Sequence, residues 1–288
     1  MPSGIVVIDK PSGWTSMDVC AKLRGILKEK RVGHGGTLDP MATGVLPVFV
    51  GAATKAVEFA EKGDKEYIAG LRLGTVTNTQ DTSGEILKTC PVTAAREDLE
   101  AVLPQFTGAI AQIPPMYSAI KRDGKKLYEL ARAGKEVRRD PRPVTVYALE
   151  VLEQVSETDY LLRVRCSKGT YVRTLCHDIG AALGCGGCMS SLRRTMAAGF
   201  TLEQAVTLEE VQEQGEALLM PVDCFFEGCP VFLLASPRAE RMVRSGSPVP
   251  APGLGPGRYR VYGQDRTFLC LSEWKSGKLY SIKNFFGG

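Results

Sequence analysis

The stretch GHGGTLDPMATGVLP, residues 33–47, places one histidine among glycines and one aspartate directly before a proline. Glycines let another part of the backbone approach closely, and a proline restrains the residue before it to extended conformations. An aspartate held rigidly in such a loop suits a nucleophile or a general base, but the same residue type commonly caps a turn. His34 and Asp39 are therefore the first candidate functional residues, and each also has an ordinary structural explanation.

The composition around this stretch is that of a globular protein, with 44% hydrophobic and 24% charged residues in a chain of 288. This length predicts two domains. No apolar run is long enough to span a membrane and no signal peptide is apparent, so we expect a cytoplasmic protein. Its nine cysteines are expected as free thiols. Cys185 and Cys188 form one close pair, which a glycine-rich turn explains more simply than a zinc or redox site.

Basic residues are concentrated in two segments of the chain. Residues 116–145 contain nine basic and four acidic residues, and residues 230–288 contain nine and three, whereas the remainder contains 18 and 25. Two basic segments on a mildly acidic body favour two contacts with a polyanion, most simply a nucleic acid. Solvated, incidentally basic surfaces explain the charge alone equally well.

The order of predicted elements favours an α+β protein with a mixed, largely antiparallel sheet flanked by helices. TSMD at 15–18 is typical of a capping box before a helix that runs to about Lys28, and residues 33–44 are predicted to form a loop. Further predictions are strands at 45–50, 65–73, 146–152 and 161–166, and helices at 53–62, 94–104 and 170–183. We predict a catalytic domain over 1–225, with an inserted segment at about 116–145, and a small β-rich domain over 230–288.

The motifs of several enzyme classes are absent from the sequence. It contains no phosphate-binding P-loop, no G-x-S-x-G nucleophile elbow and no zinc deaminase signature. GLGPG at 253–257 is interrupted by proline and is no dinucleotide-binding loop. We therefore expect neither a metal nor a nucleotide cofactor.

Five segments together resemble the TruB-type tRNA pseudouridine synthases. GHGGTLDPMATGVLP resembles the catalytic motif of that family, and four other segments match its remaining motifs in order and spacing: DKPSGWTS (9–16), YIAGLRLG with TNTQD (67–81), PPMYSAIK (114–121) and SKGTYVRTL (167–175). The resemblance covers about residues 4–195, and the tail resembles an RNA-binding PUA domain more loosely. One departure is Gly35, where we expect a threonine in many relatives and hence a looser loop here.

The resemblance implies that the chain isomerises uridine 55 in the T-loop of tRNA to pseudouridine, after flipping the base, without a cofactor. It implies that Asp39 is the essential carboxylate, that Arg173 pairs with it, and that Tyr67 stacks on the base and takes part in proton transfer. Tyr171 and Leu192 would line the pocket, and His34 would help to extrude the target nucleotide. Lys10 and Pro11 are assigned mainly to architecture. Basic residues of the insertion would contact phosphates: Lys121, Arg122, Lys125, Lys126, Arg138, Arg139 and Arg142.

Other interpretations stay open on the residues alone. Tyr67 and Tyr171 also fit satisfied core aromatics, Arg173 a structural ion pair and Leu192 ordinary core. A tRNA-binding or tRNA-folding protein on the same fold, with no required catalysis, is the main alternative function. Two others are a relative that uses guide RNAs and an unrelated small-molecule enzyme. The compact tail and complete insertion favour a stand-alone enzyme that binds the T-arm of tRNA as a monomer, with no membrane and no obligatory protein partner.

Overall fold

The protein folds around one ten-stranded sheet and one five-stranded sheet in a computed structural model that describes residues 1–122 and 124–286. Its strands, in chain order, are β1 (Gly4–Lys10), β2 (Val32–His34), β3 (Thr43–Val50), β4 (Lys65–Leu73), β5 (Thr75–Thr77), β6 (Ile86–Thr89), β7 (Gly108–Gln112), β8 (Lys121–Arg122), β9 (Lys125–Lys126), β10 (Arg142–Gln154), β11 (Asp159–Cys166), β12 (Gly187–Ala197), β13 (Phe200–Thr201), β14 (Ala205–Val206), β15 (Val231–Leu233), β16 (Val249–Pro250), β17 (Gly257–Tyr262), β18 (Phe268–Lys275) and β19 (Lys278–Asn284).

Seven α-helices accompany these strands in the part of the chain that the structure describes. They are α1 (Ser16–Leu27), α2 (Val57–Lys62), α3 (Arg96–Val102), α4 (Leu127–Arg132), α5 (Val172–Ala182), α6 (Leu208–Gln214) and α7 (Pro237–Arg244). None of these described helices has the length and apolar character needed to cross a membrane.

The large sheet is mixed and mostly antiparallel, in the order β14-β1-β3-β12-β4-β11-β10-β7. β2 pairs with β3, and β13 pairs with β12. Only the β1–β14 and β3–β12 pairs within it are parallel. The predicted α+β class is therefore confirmed. The centre of the sheet brings β3, β12, β4 and β11 side by side, and these four strands come from widely separated parts of the chain.

Helix α1 forms where the capping signal predicts it. The Thr15 hydroxyl accepts a hydrogen bond from Asp18 N at 3.1 Å, and the Asp18 carboxylate accepts one from Thr15 N at 2.9 Å. This reciprocal capping satisfies two backbone donors that the first turn would leave free. The buried stripe includes Val19 and Leu23, so α1 packs one face against the main core.

Three predicted elements differ in detail from the structure. The loop predicted at 33–44 is shorter at both ends, because β2 extends to His34 and β3 begins at Thr43. β2 pairs with residues 48–50 of β3, a partner that a three-residue strand does not reveal. The helix predicted at 53–62 divides into a 3₁₀ segment, Gly51–Ala56, and α2. The helix predicted at 94–104 is limited to α3, and a further 3₁₀ segment follows it at Leu103–Phe106.

The inserted basic segment lies between β7 and β10, and therefore runs from residue 113 to residue 141. Its described part contains the short hairpin β8–β9 and helix α4. β10 starts three residues earlier than the predicted end of the insertion, because Arg142 already pairs with Gln112 of β7. The segment thus leaves the large sheet and returns to it on adjacent strands.

The C-terminal sheet has the order β15-β17-β18-β19-β16 and is accompanied by α7, which the sequence analysis did not predict. It has a hydrophobic core of its own. A second core joins it to the body, where Phe226 stands edge-on to Phe59 at 5.5 Å and also contacts Phe268 and Phe285. The two sheets therefore share apolar side chains across their junction.

Candidate active site

Asp39 lies in a loop whose flanking residues are tied to the N-terminal segment. The Ser16 hydroxyl donates to Leu38 O at 3.2 Å and accepts from Leu38 N at 2.9 Å. Gly13 N donates to Pro40 O at 2.8 Å. The residues on both sides of Asp39 are thus held by the segment 9–16, which gives that motif a structural purpose.

Lys10 binds backbone carbonyls of the same loop and of the segment 9–16. Its ammonium donates to the carbonyls of Pro11 at 2.9 Å, Trp14 at 2.6 Å and Pro40 at 3.2 Å. Burial lowers the pKa of Lys10 to about 8, and the negative charge of Asp39 partly opposes that change. All three acceptors of the ammonium are backbone carbonyls, which fits the predicted architectural role of Lys10.

Arg173 connects the Asp39 loop to two other segments. Its Nε lies 3.0 Å from Asp39 Oδ2 and 3.7 Å from Asp81 Oδ2. Its two terminal nitrogens donate to Thr79 O at 3.1 Å and to Tyr117 O at 2.8 Å. The Arg173 side chain is 7% exposed, whereas that of Asp39 is 37% exposed. The predicted Arg173–Asp39 pair is present, with the carboxylate facing the solvent side of the site and the guanidinium beneath it.

Asp81 is a site residue to which the sequence analysis gave no role of its own. Its Oδ1 accepts hydrogen bonds from Thr79 Oγ1 at 2.8 Å, Ser83 N at 3.0 Å and Ser83 Oγ at 2.5 Å. Its other oxygen faces Arg173. These bonds fix Asp81 as a second, buried counter-charge, which holds the Arg173 guanidinium in one plane. The sequence signal that could have identified Asp81 is its position at the end of the motif TNTQD, residues 77–81.

Arg194 is the second residue that sequence reasoning missed. It is 1% exposed, and its guanidinium donates to Val45 O at 2.7 Å, Gly36 O at 3.1 Å and Thr37 O at 3.4 Å. Burial lowers its pKa. Arg194 thus binds backbone carbonyls on both sides of Asp39 in the sequence. The sequence offered a signal for Arg194: it lies two residues after Leu192 in SLRR, and alternate residues of a strand share one face.

Tyr67 and Leu192 lie on this same face of the large sheet. Tyr67 of β4 pairs with Arg194 of β12, and Leu192 pairs with Ala69, two residues further along β4. Both predicted pocket residues are 8% exposed. Burial raises the pKa of the Tyr67 hydroxyl, and the adjacent Arg194 guanidinium opposes the rise. The phenol of Tyr67 therefore keeps its proton at neutral pH.

Tyr171 immediately precedes α5, the helix that carries Arg173 in its first turn. Its backbone is extended, with φ −100° and ψ 105°. Burial raises the pKa of its hydroxyl, Arg173 opposes the rise and Asp39 adds to it. Tyr171, Arg173 and Asp39 therefore share one electrostatic environment, as the resemblance implies.

His34 ends β2 and pairs with Val48 of β3. Burial lowers the pKa of its imidazole, and the positive charge of Arg194 adds to that effect. Nδ1 is buried and has no hydrogen-bond partner among the residues that the structure describes. A neutral ring follows from these surroundings, which suits packing against a nucleotide base better than pairing with a phosphate.

The basic residues of the β8–β9 hairpin and Arg139 have different surroundings. Lys121 stands opposite Lys126, and Arg122 stands opposite Lys125, so the β8–β9 hairpin presents four cations. Arg139 is different, because its guanidinium donates to Pro114 O at 3.2 Å and to the Glu136 carboxylate at 3.1 Å. Arg139 thus lies at the base of the insertion, while the hairpin displays the exposed charges.

Known proteins resemble this chain over most of its length. Residues 24–172 match the family model of the TruB family pseudouridylate synthase (N terminal domain), and residues 173–226 match the tRNA pseudouridylate synthase B C-terminal domain. The chain is 46% identical over 280 residues to tRNA pseudouridine synthase B of Azoarcus sp. strain BH72, covering 96% of this chain and 92% of that protein. It is 47% identical to the protein of the same name from Pseudomonas syringae pv. syringae strain B728a, covering 94% and 91%.

Solved structures agree on the fold. A chain in a crystal structure of a Cbf5-Nop10-Gar1 complex superposes with a TM-score of 0.74 at 28% identity, over 98% of this chain and 85% of that one. A chain in a structure of an H/ACA RNP bound to a substrate RNA containing 2'-deoxyuridine gives 0.73 at 27% identity, over 99% and 85%. Family models that together span residues 24–226 and relatives of this similarity lead to one conclusion: the chain belongs to the TruB family of pseudouridylate synthases.

Proposed function

We propose that the protein converts uridine 55 in the T-loop of tRNA to pseudouridine, and that Asp39 is the essential carboxylate. The observation that carries the proposal is the Asp39–Arg173–Asp81 arrangement, in which one partly exposed carboxylate is oriented by a buried guanidinium. The names of the relatives, tRNA pseudouridine synthase B, supply the substrate class.

The reaction exchanges one bond of uracil for another. The bond from N1 to ribose C1′ breaks, a bond from C5 to C1′ forms, and the hydrogen of C5 is lost to solvent while N1 gains one. The atoms balance without an oxidant, a reductant or a second substrate, so the chemistry requires only acid–base or nucleophilic groups. Attack of a carboxylate on the sugar, its attack on the base, and elimination to a glycal all use the carboxylate of Asp39, which Arg173 Nε contacts at 3.0 Å.

The other pocket residues have proposed roles that follow from their places. Tyr67, on strand β4, would stack on the flipped uracil. The raised pKa of its phenol supports stacking better than it supports a role as a general base. Leu192 and Tyr171 would form apolar walls. The neutral ring of His34 would pack against the bases that rearrange when the target leaves the loop.

The β8–β9 hairpin supports an RNA substrate independently of the pocket. Lys121 and Lys126 face each other across it, as do Arg122 and Lys125. Like charges directly opposite each other destabilise an isolated hairpin, and a bound polyanion removes that repulsion. We propose that the hairpin grips phosphates of the T-arm, and that the C-terminal domain, with its nine basic residues, binds a more distant part of the tRNA.

Site mapping tests the substrate assignment. Unmodified tRNA transcript would be incubated with the protein and pseudouridine located along the whole RNA. The expected result is conversion at uridine 55 alone, and no conversion in a transcript with cytidine at that position. Conversion at a different uridine, with position 55 untouched, would contradict the assignment.

A further inference from the structure

Gln112 is a buried amide whose two polar ends both bind the backbone of Tyr171. It is the last residue of β7 and is 2% exposed. Its Oε1 accepts a hydrogen bond from Tyr171 N at 2.9 Å, and its Nε2 donates to Tyr171 O at 3.2 Å. The amide thus makes both hydrogen bonds that a neighbouring strand would make to Tyr171, although the two residues are 59 positions apart in the sequence.

This contact fixes the start of helix α5. Tyr171 is the N-cap residue of α5, and its own side chain makes no capping hydrogen bond. Tyr171 O also accepts the hydrogen bond from Leu175 N that opens the helix, at 3.1 Å. Gln112 therefore holds the one residue where an extended chain becomes a helix, and that residue contributes a pocket side chain.

The contact also determines where Arg173 points, because Arg173 lies two residues further on in the first turn of α5. Its Nε must reach Asp39 at 3.0 Å while a terminal nitrogen reaches Tyr117 O at 2.8 Å. A small rotation of the helix start would shift the guanidinium relative to the carboxylate. Misplacement of a reacting group by about 1 Å costs roughly 100-fold in rate.

Gln112 also stands where the insertion leaves the sheet. It pairs with Arg142, the first residue after the insertion, across β7 and β10. Arg173 binds the root of the insertion through Tyr117 O. The N-terminal side of the root is therefore fixed to the start of α5 at two points, by the Gln112 side chain and by the Tyr117 carbonyl that Arg173 binds.

We propose that Gln112 is a positioning residue of the pseudouridine synthase reaction: its amide sets the backbone of Tyr171, and through it the directions of Tyr171 and Arg173 towards Asp39. The proposal rests on the roles proposed above for Asp39, Tyr171 and Arg173. It assigns to Gln112 no contact with the RNA. Its loss should therefore slow the chemical step and leave tRNA binding unchanged.

The first variant is Gln112→Met, which keeps the length of the side chain and removes both hydrogen-bonding atoms. Single-turnover rates would be measured with enzyme in excess, by tritium release from tRNA labelled at uridine C5, and tRNA dissociation constants by filter binding. We expect a rate about 10- to 100-fold below wild type, with the dissociation constant within about twofold. Thr207→Ala is the control, because it removes the hydroxyl that accepts a hydrogen bond from Glu210 N at the start of α6.

A second variant, Gln112→Glu, separates positioning from folding. A protonated carboxyl offers one donor and one acceptor, as the amide does, whereas the ionised form offers only acceptors and would face Tyr171 O. Charged groups around the pair are Arg142 on the neighbouring strand, with Arg173 and Asp39 across the pocket. We expect the rate of this variant, divided by that of wild type at the same pH, to rise as the pH is lowered from 8 to 5.5.

Three results would overturn the proposal: a wild-type rate for Gln112→Met, a loss explained entirely by weaker tRNA binding, or a Gln112→Glu to wild-type ratio that does not change with pH. Asp39→Asn in the same assay keeps the two proposals apart. If Asp39→Asn is inactive and Gln112→Met is fully active, only the role of Gln112 fails. If Asp39→Asn is active, the proposed site itself fails.

Discussion

At the scale of single residues, buried cations that bind carbonyl oxygens hold the Asp39 loop. Lys10 and Arg194 each donate to three backbone carbonyls around it. Lys65 donates in the same way to Glu61 O at 2.8 Å and Gly63 O at 2.5 Å, at the end of α2. Carbonyls are neutral, so none of these contacts compensates the positive charge. Among the three, Lys10 interacts with the negative charge of Asp39, which raises the Lys10 pKa against the effect of burial.

Arg194→Lys should lower the free energy of unfolding by about 2–4 kcal/mol. A lysine cannot present the planar fork that reaches Val45 O and Gly36 O together, and it leaves buried carbonyls without donors. Arg193→Lys is the matched control, because its guanidinium is 42% exposed and pairs with Asp9 on the surface. The control should cost less than about 1 kcal/mol. Urea unfolding measures both, and equal losses would show that Arg194 does not brace the loop.

His34 should remain neutral to a lower pH than a free histidine. Its pKa is lowered by burial, so the unfolded chain takes up a proton near pH 6.5 while the folded protein does not. The contribution of His34 to stability is therefore complete above pH 6.5 and declines as the pH falls below it. An NMR titration of the imidazole in a His177→Gln background should give a midpoint below 6.5. A midpoint above 6.5 would be inconsistent with this environment.

At the scale of elements, the glycine-rich segment is held tightly by its neighbours. Gly35 N donates to Pro47 O at 2.8 Å, and a Cβ added at Gly35 would lie 2.7 Å from Ala60 Cβ and 3.1 Å from Phe49 Cε2. Gly35 therefore lets α2 approach β2 closely, and the looser loop expected from the missing threonine is not what the structure shows. Gly44 is equally constrained, since it has φ +98° and its Cβ would lie 2.2 Å from Arg194 O.

Gly35→Ala should destabilise the protein by about 1–3 kcal/mol through overpacking. Ala60→Gly alone should cost about 1 kcal/mol, because glycine weakens a helix. The double variant should be more stable than the sum of the two single losses predicts, since removal of Ala60 Cβ makes room for the new methyl group. Thermal or urea unfolding of all three variants checks this. Strict additivity would mean that the Gly35–Ala60 contact does not limit the packing.

The β8–β9 hairpin should contribute to tRNA affinity in a salt-dependent way. Replacement of Lys121, Arg122 and Lys125 by glutamine should weaken binding and reduce the slope of log affinity against log salt by up to about 3. The free energy of unfolding should not fall, because like-charge pairs are removed. Lys22→Gln on the exposed side of α1 serves as the control and should leave the slope unchanged. An unaltered slope in the triple variant would exclude the hairpin from phosphate binding.

At the scale of the whole molecule, the second hydrophobic core makes the C-terminal sheet part of the structure that supports the site. Phe226 contacts Phe59 of α2 on one side and Phe285 of the last segment on the other, and Lys283 pairs with Glu58. The same α2 packs against Gly35 through Ala60. Helix α2 thus contacts both the C-terminal domain and the glycine-rich segment that leads to Asp39.

Because of this shared core, the two parts should unfold together. Trp14 packs against the main core and Trp274 against the C-terminal core, and the chain has no other tryptophan. Fluorescence of Trp14→Phe and Trp274→Phe variants therefore follows each part separately. We expect the urea unfolding transitions reported by Trp14 and by Trp274 to coincide, once the difference in stability between the two variants is taken into account. A separate earlier transition reported by Trp274 would show that the C-terminal domain is independent.

We also expect a monomer in solution, because one asymmetric tRNA would meet one asymmetric binding surface. Light scattering coupled to size exclusion should give a mass near 31.2 kDa. A mass of twice that value at micromolar concentration would contradict this expectation.

The sequence predicts features that depend on neighbouring residues better than those that depend on distant ones. The Thr15–Asp18 capping box and the alternation of KEYIAGLRL gave α1 and β4 correctly. The family motifs named Asp39 and Arg173. The Arg194 contacts, strand β2, helix α7 and the phenylalanine core were missed, because each depends on packing that no local pattern encodes. The Gln112–Tyr171 contact joins positions 59 residues apart and became visible only in the structure.

The role of Asp39 is tested by comparing wild type with Asp39→Asn on unmodified tRNA, with pseudouridine measured at a single turnover and tRNA affinity measured in parallel. Asp159→Asn serves as the control, because it removes a partly exposed carboxylate that pairs with Arg72. We predict that wild type and the control convert one T-loop uridine, whereas Asp39→Asn binds the tRNA and converts none. Conversion by Asp39→Asn at the wild-type rate would contradict the account. Binding without conversion by all three proteins would instead identify a tRNA-binding or tRNA-folding protein.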